Sequence, residues 1–191
     1  ITMIANRRGV EVAAAVGIVE KVISFLFLVP SAMLSTVSAL SAQNAGAGQH
    51  TRSRRVLKIG CMICAGFGAV IFILCQPLAP WIVSLFVKKG DNIGTVVRFG
   101  AEYLRTYSVD CIFAGIHFCF SGFFSAYGKS GYSFLHNIIS IITFRIPGAW
   151  AAAVFFPATL YPMGLAAPMG SLLSVAISLY LYGRGGENWG L

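Results

Sequence analysis

The fold class this sequence predicts is an all-α membrane protein, and three observations predict it. Of its 191 residues, 57% are apolar and only 10% charged, with a mean hydropathy of +0.79, whereas soluble domains carry about a quarter charged residues. The apolar residues also run unbroken: residues 22–49 and 59–87, stretches of 28 and 29, contain no Asp, Glu, Lys or Arg. Each exceeds the ~20 residues a helix needs to cross a bilayer. Finally, the 14 basic residues, which leave a net charge of +8, sit singly or in short clusters between apolar runs. That layout suits loops facing lipid headgroups and speaks against a nucleic-acid surface.

Five transmembrane helices are predicted. The first, 12–44, opens with Glu11 and an Ala13-Ala14-Ala15 run and carries Pro30 near its middle. At ~1.5 Å per residue it is longer than a ~30 Å hydrocarbon core, so it tilts, protrudes or kinks at Pro30. It stops at Gly46-Ala47-Gly48, where both glycines are expected to let the chain reverse. A basic loop over 49–58 is followed by the second span, 59–86, in which Pro77 and Pro80 beside Trp81 predict a broken end at the membrane interface.

Residues 88–92 form the next turn. The third span, 94–127, is amphipathic as far as Arg105 and apolar beyond it, and Arg98, Glu102 and Arg105 read as a surface charge ladder at helical spacing. After a tight turn at 127–131 comes the fourth span, 132–156, interrupted by Arg145 and Pro147. A short loop leads to the uncharged fifth span, 163–182, whose small residues Gly164, Ala166, Ala167, Gly170, Ser171 and Ser174 predict close helix packing. An odd number of crossings places the chain ends on opposite sides. Basic residues lean toward a cytoplasmic first loop, with Arg52, Arg54, Arg55, Lys58, Lys129 and Arg184 on that side against Arg7, Arg8, Lys88 and Lys89 on the other. Counting Arg98 and Arg105 levels the two sides. The chain opens on Ile1 with no readable signal peptide, and truncation at the N-terminus is the expectation.

Several segments together resemble a known family. Pro30-Ser31-Ala32-Met33, then Ser41-Ala42-Gln43-Asn44-Ala45-Gly46-Ala47-Gly48 and its basic sequel, are similar to the helix ending in a Gln-Asn-x-Gly-Ala-Gly turn of multidrug and toxin extrusion (MATE) transporters. Gly122-Phe123-Phe124-Ser125-Ala126-Tyr127-Gly128-Lys129-Ser130, Arg145-Ile146-Pro147 and Pro162-Met163-Gly164-Leu165-Ala166-Ala167-Pro168 resemble that family's tenth to twelfth helices. The resemblance implies a twelve-helix protein of two six-helix lobes forming a V. Residues 1–191 would then be helices eight to twelve, a partial C-terminal lobe lacking the seventh helix and the whole N-terminal lobe. It also implies a cytoplasmic loop after Gly46, and export of drugs or organic cations by antiport against Na⁺ or H⁺, without a further cofactor. The membrane would be the bacterial inner membrane.

Ionisable groups at membrane depth cost roughly 2.5–3.5 kcal/mol each even on the lenient insertion scale, so each is a functional candidate. Here they are Glu20 and Lys21 in the first span, Asp110 and His117 in the third, and His136 and Arg145 in the fourth. Glu20 and Asp110 are the ion-coupling candidates, with Arg145 and His117 as supporting polar groups. The competing reading pairs the two acids structurally with Lys21 or Arg145. The family uses an acidic residue of the tenth helix for cation binding in some members, and Asp110 lies in the matching helix. Arg145 is expected to satisfy carbonyls freed by Pro147, and both histidines to be satisfied interior groups.

Gln43, Asn44, Gly46 and Gly48 are read as a structural turn. The five cysteines all fall within spans, and their odd number implies no disulfide framework. Cys61 and Cys64 share a helix face without a His or Cys at metal spacing, so no metal site is expected. No GxSxG, HExxH, P-loop or dinucleotide fingerprint occurs, and no enzyme is expected. Three alternatives to drug efflux remain at this point: a lipid or polysaccharide flippase of the same superfamily, a membrane thiol oxidoreductase using Cys61 and Cys64, and a scaffold protein with no transport activity.

Overall fold

The computed structural model describes residues 5–87 and 92–185. Lys88 and Lys89, in the turn expected at 88–92, lie outside the described residues. The first predicted span consists of α1 (Val10–Leu26) and α2 (Leu28–Gly46), broken at Phe27. Proline at 30 supplies no N–H to the carbonyl of Leu26 and its ring presses on that carbonyl. The ladder therefore opens one turn ahead of Pro30, while Phe27 and Ser31 still bond to the carbonyls of Ile23 and Phe27 at 2.9 and 3.0 Å.

Helix α3 (His50–Ser84) has 35 residues, a length of roughly 52 Å at 1.5 Å per residue. It corrects two expectations. The segment 49–58 is not a loop: the turn is completed by Gly48 and Gln49, and Arg and Lys are good helix formers, so the helix restarts at His50. Nor is the helix broken at Pro77 and Pro80, which it passes through. Pro80 has no N–H to offer the carbonyl of Gln76, and that carbonyl instead accepts a bond from Arg105 Nε at 2.8 Å, while Gln76 Nε2 donates to the Arg105 carbonyl at 3.2 Å. A proline is tolerated in a membrane helix when a neighbour satisfies the freed group in this way.

Arg105 accordingly leaves the predicted charge ladder, of which Arg98 and Glu102 remain, 3.4 Å apart. Glu102 Oε2 also accepts from Thr159 Oγ1 and the Leu160 amide, each at 2.9 Å, so this carboxylate ties down the loop before the last helix.

The third predicted span is α4 (Ile93–Tyr107) followed by α5 (Asp110–Ala126), bent by 43° at Ser108 and Val109. The hydroxyl of Ser108 bonds back to the Arg105 carbonyl at 2.8 Å, and Cys111 and Ile112 take i→i−3 partners. Such local bonds compete with the regular ladder. The fourth span is α6 (Ser130–Ser140), a π-helical stretch (Ile141–Arg145) and α7 (Ile146–Phe155). Pro147 withholds the donor for the Thr143 carbonyl, and the wider π turn carries the chain past it. Helix α8 (Tyr161–Arg184) is the fifth. By length and composition, four helical stretches among the described residues qualify as membrane spans, and the bent pair α4–α5 makes a fifth if counted as one.

Helix α5 is central, packed against α2, α3 and α8 and buried on most of its circumference. Close approach depends on Gly122, where an added Cβ would run into the backbone carbonyl of Leu34 on α2. On α8 the small residues Gly164, Ala166, Ala167, Gly170, Ser171 and Ser174 are all buried, as their spacing predicts.

The apolar interior divides into two clusters. One gathers Val16 and Val19 of α1, Val83 of α3, Leu104 of α4 and Met163 of α8. The other gathers Val37 of α2, Leu57 and Cys64 of α3, and Cys119, Phe123 and Phe124 of α5. Along α5 and α8 the buried polar residues Asp110, His117, Ser171 and Ser174 fall between the two.

At the end of α2 the predicted turn is a Schellman motif. The Gln49 amide bonds the Asn44 carbonyl at 2.8 Å and the Gly48 amide the Ala45 carbonyl at 3.0 Å, with Gly48 at φ +71°. Gln43 contributes its carbonyl to the Ala47 amide, and the Asn44 side chain bonds the Leu40 carbonyl at 2.7 Å. Only half of the glycine expectation holds: Gly46 is the last helical residue and has no positive φ, because the reversal needs one left-handed residue and Gly48 provides it. A second such motif ends α5 at Gly128, φ +70°, and the two turns meet where His50 Nδ1 lies 3.2 Å from the Tyr127 hydroxyl.

Candidate functional site

The bend at Ser108 and Val109 makes Asp110 the first residue of the central helix, with its side chain wholly buried. Its Oδ2 lies 3.4 Å from Arg145 Nη2, and Oδ1 has no hydrogen-bond partner. Arg145 is the last residue of the π stretch, and the same Nη2 donates to Ser171 Oγ of α8 at 2.8 Å. Three elements thus converge on one guanidinium. Gly170 makes room for it: a Cβ there would come within 2.7 Å of Arg145 Cγ and 2.8 Å of Ser140 Oγ. The expectation that Arg145 serves the carbonyls freed by Pro147 gives way to this pairing, and the proline-compensating role falls to Arg105 on Pro80 instead.

Glu20, half-buried on α1, comes near the same place. The hydroxyls of Tyr103 and Tyr107 on α4 lie within electrostatic range of Glu20, Asp110 and Arg145 together, and the two rings pack edge to face with centroids 5.6 Å apart. Tyr103 Oη is buried without a hydrogen-bond partner. Glu20 and Asp110 thus sit on helices, α1 and α5, that both adjoin α4. Lys21, at the adjacent helix position, is exposed.

His117 is buried two turns further along α5, and neither of its ring nitrogens has a hydrogen-bond partner. Its ring meets that of His136 at a centroid distance of 5.6 Å, and it lies within electrostatic range of Arg145. His136 Nε2 is 3.0 Å from Ser121 Oγ, while its Nδ1 is buried without a hydrogen-bond partner, so the expectation of satisfied histidines fails for His117 and is met at one nitrogen of His136. His117 is held by edge-to-face ring contacts with Phe118 and His136, at centroid distances of 4.9 and 5.6 Å.

Ser171, Tyr103 and Tyr107 are neighbours of the candidate residues that sequence reasoning misses. Ser171 belongs to the small-residue stripe, where its hydroxyl is indistinguishable from a packing residue until Arg145 is placed beside it. Tyr103 and Tyr107 stand four apart, a spacing that puts them on one face of a helix leading into Asp110, and that is the signal that could have found them.

Cys61 and Cys64 are not partnered with each other by a hydrogen bond; Cys64 Sγ lies 3.7 Å from Cys119 Sγ, both thiols buried. Among the described residues no group of three or more His, Cys, Asp or Glu side chains converges as a metal site would require.

These features define an integral, multi-pass helical membrane protein with a seam of buried ionisable groups at mid-height. The profile of the MatE family matches residues 1–151, and the chain belongs to that family of multidrug and toxin extrusion transporters. It is similar to the probable multidrug resistance protein YpnP of Bacillus subtilis (strain 168), 26% identical over 188 residues that make up 98% of this chain and 40% of that protein. It is also 28% identical over 88 residues, 46% of its length, to the probable multidrug resistance protein YoeA of the same organism, of which that stretch is 19%.

Two solved structures share the fold. One is a multidrug resistance MATE family transporter in an inward-facing conformation, with a TM-score of 0.74 at 15% identity over 91% of this chain and 39% of that one. The other is the eukaryotic MATE transporter AtDTX14, with a TM-score of 0.76 at 20% identity over 93% of this chain and 38% of that one. The chain thus spans about two fifths of the length of these full transporters.

Proposed function

We propose that the protein carrying this chain exports drug-like or cationic small molecules across a bacterial cytoplasmic membrane by secondary active antiport, with Asp110 as the coupling carboxylate. In this reading the chain supplies helices eight to twelve, and a seventh helix and an N-terminal lobe complete the transporter. The observation that carries the proposal is the state of Asp110: fully buried, one oxygen on Arg145 and the other bare. A buried acid so placed is an acceptor for a proton or Na⁺, and either ion competes with Arg145 for the same negative charge.

Binding of the ion releases Arg145 toward Ser171, its other partner, and loosens the tie between α5 and the π stretch. Coupling follows if only one of the two access states permits that exchange. Glu20, half-buried on α1, is the second carboxylate of this reading and adds negative charge that supports binding of a cation.

The test is transport by the full-length protein in proteoliposomes, following a fluorescent cationic drug under an imposed H⁺ or Na⁺ gradient. Asp110→Asn abolishes ion-driven transport while drug binding and yield persist, and Glu20→Gln weakens it. A purely structural pair predicts instead that Asp110→Asn lowers yield, because the half-buried Arg145 loses its counter-charge. Normal transport with normal yield in both variants overturns the proposal and moves the ion site to the other lobe.

A further inference from the structure

Helices α3, α5 and α8 enclose a groove of about 610 Å³ whose lining includes neither Asp110, Arg145 nor His117. Its walls are apolar, formed in part by Cys61 of α3, Phe120 of α5 and Leu179 of α8, and its mouth is held by Arg54, Arg55 and Lys58 from the first turns of α3. No carboxylate lines it among the described residues. Arg54 Nε and Nη2 are both shielded from solvent and have no hydrogen-bond partner, a costly arrangement for a guanidinium unless something else supplies the acceptors.

The groove has a direction. It runs from Arg54 at its charged end to Ala65 at its apolar end, eleven residues of helix and hence roughly 16 Å. That matches one leaflet of a hydrocarbon core about 30 Å thick. Three cations at headgroup level above a leaflet-deep apolar channel are complementary to an anion carrying a long hydrocarbon tail.

We infer that this groove is a binding site for an anionic phospholipid, with the phosphate between Arg54, Arg55 and Lys58 and one acyl chain along Cys61, Phe120 and Leu179. The site lies on the side that the basic residues predict to be cytoplasmic, where anionic lipids attract such clusters. It is separate from the proposed coupling site and does not depend on it.

Two measurements on the full-length transporter test it. In native mass spectrometry from micelles doped with equal phosphatidylglycerol and phosphatidylcholine, the wild type retains phosphatidylglycerol selectively. The triple variant Arg54→Gln, Arg55→Gln, Lys58→Gln loses that retention by about 10- to 100-fold, at about tenfold or less per cation. The second measurement needs no variant. Cys61 is partly exposed in the groove, so its alkylation by a small maleimide, followed at that peptide, slows several-fold on adding phosphatidylglycerol and is unaffected by phosphatidylcholine or inorganic phosphate. Equal retention of the two lipids by the wild type overturns the inference. So does protection of Cys61 by inorganic phosphate alone, which would make the ligand a free anion. Unreactive Cys61 in lipid-depleted protein also overturns it, since the groove would then be filled by the protein's own chain.

Discussion

Replacing Arg105 by Met isolates one hydrogen bond that lets a membrane helix keep a proline. The Gln76 carbonyl is deprived of its helical donor by Pro80 and accepts instead from Arg105 Nε at 2.8 Å. Removing that donor leaves a carbonyl unsatisfied at membrane depth and deletes a bond to a charged group, together worth about 1.5–3 kcal/mol. Arg105→Met therefore lowers the thermal unfolding temperature of the full-length protein in detergent, measured by loss of monodisperse protein on heating.

The decisive comparison repeats the substitution in a Pro80→Ala background. Alanine restores the amide at position 80, which bonds the Gln76 carbonyl within the helix. Arg105→Met in that background then costs no more than about 0.5 kcal/mol, the scatter expected of uncoupled sites. Equal losses in both backgrounds would refute the reasoning, because Arg105 would then act through its packing or its charge and not through the carbonyl that the proline frees.

Gly48→Ala forces a side chain into φ +71° and destabilises by about 1–2 kcal/mol. Gly46→Ala, at a helical position with open space around it, stabilises by about 0.5–1 kcal/mol, so melting curves of the two variants move in opposite directions. Gly122→Ala drives a methyl into the Leu34 carbonyl and costs at least about 1–3 kcal/mol, visible as reduced yield and an earlier melt, while Gly131→Ala, at a helical position where nothing lies within 4 Å, shows no such loss. Gly170→Ala crowds Arg145 Cγ and displaces the guanidinium from Asp110, lowering ion-driven drug transport in proteoliposomes more than it lowers drug binding.

The spans themselves are legible because a bilayer demands long uncharged helices, and that demand is written into composition. Their interruptions are legible only where the cause is local. Pro30 announces a break one turn away from where it falls, because the damage is done at the Leu26 carbonyl. Pro77 and Pro80 announce a break that does not occur; at Pro80 the repair comes from Arg105 on another helix, and no one-dimensional pattern pairs residues 76 and 105.

The candidate site shows the same limit. Asp110, Arg145 and His117 are conspicuous as charges in apolar surroundings, and the structure does bring the acid and the arginine together. Ser171 is silent, since a serine in a stripe of glycines and alanines reads as a small residue. Gly46 misleads for the opposite reason: two neighbouring glycines look equally suited to a turn that uses one.

The breaks at Phe27 and at Ser108 and Val109 fall in neighbouring columns, for α1 packs on α4 and α2 on α5. Each column is therefore an upper and a lower strut joined at an elbow, and the two apolar clusters are the blocks into which the struts are set. Helix α3 runs unbroken past both, as a mast, giving Val83 to one block and Leu57 to the other. A lobe assembled in this manner changes direction at matching levels in two columns, and the third braces both levels with one unbroken helix.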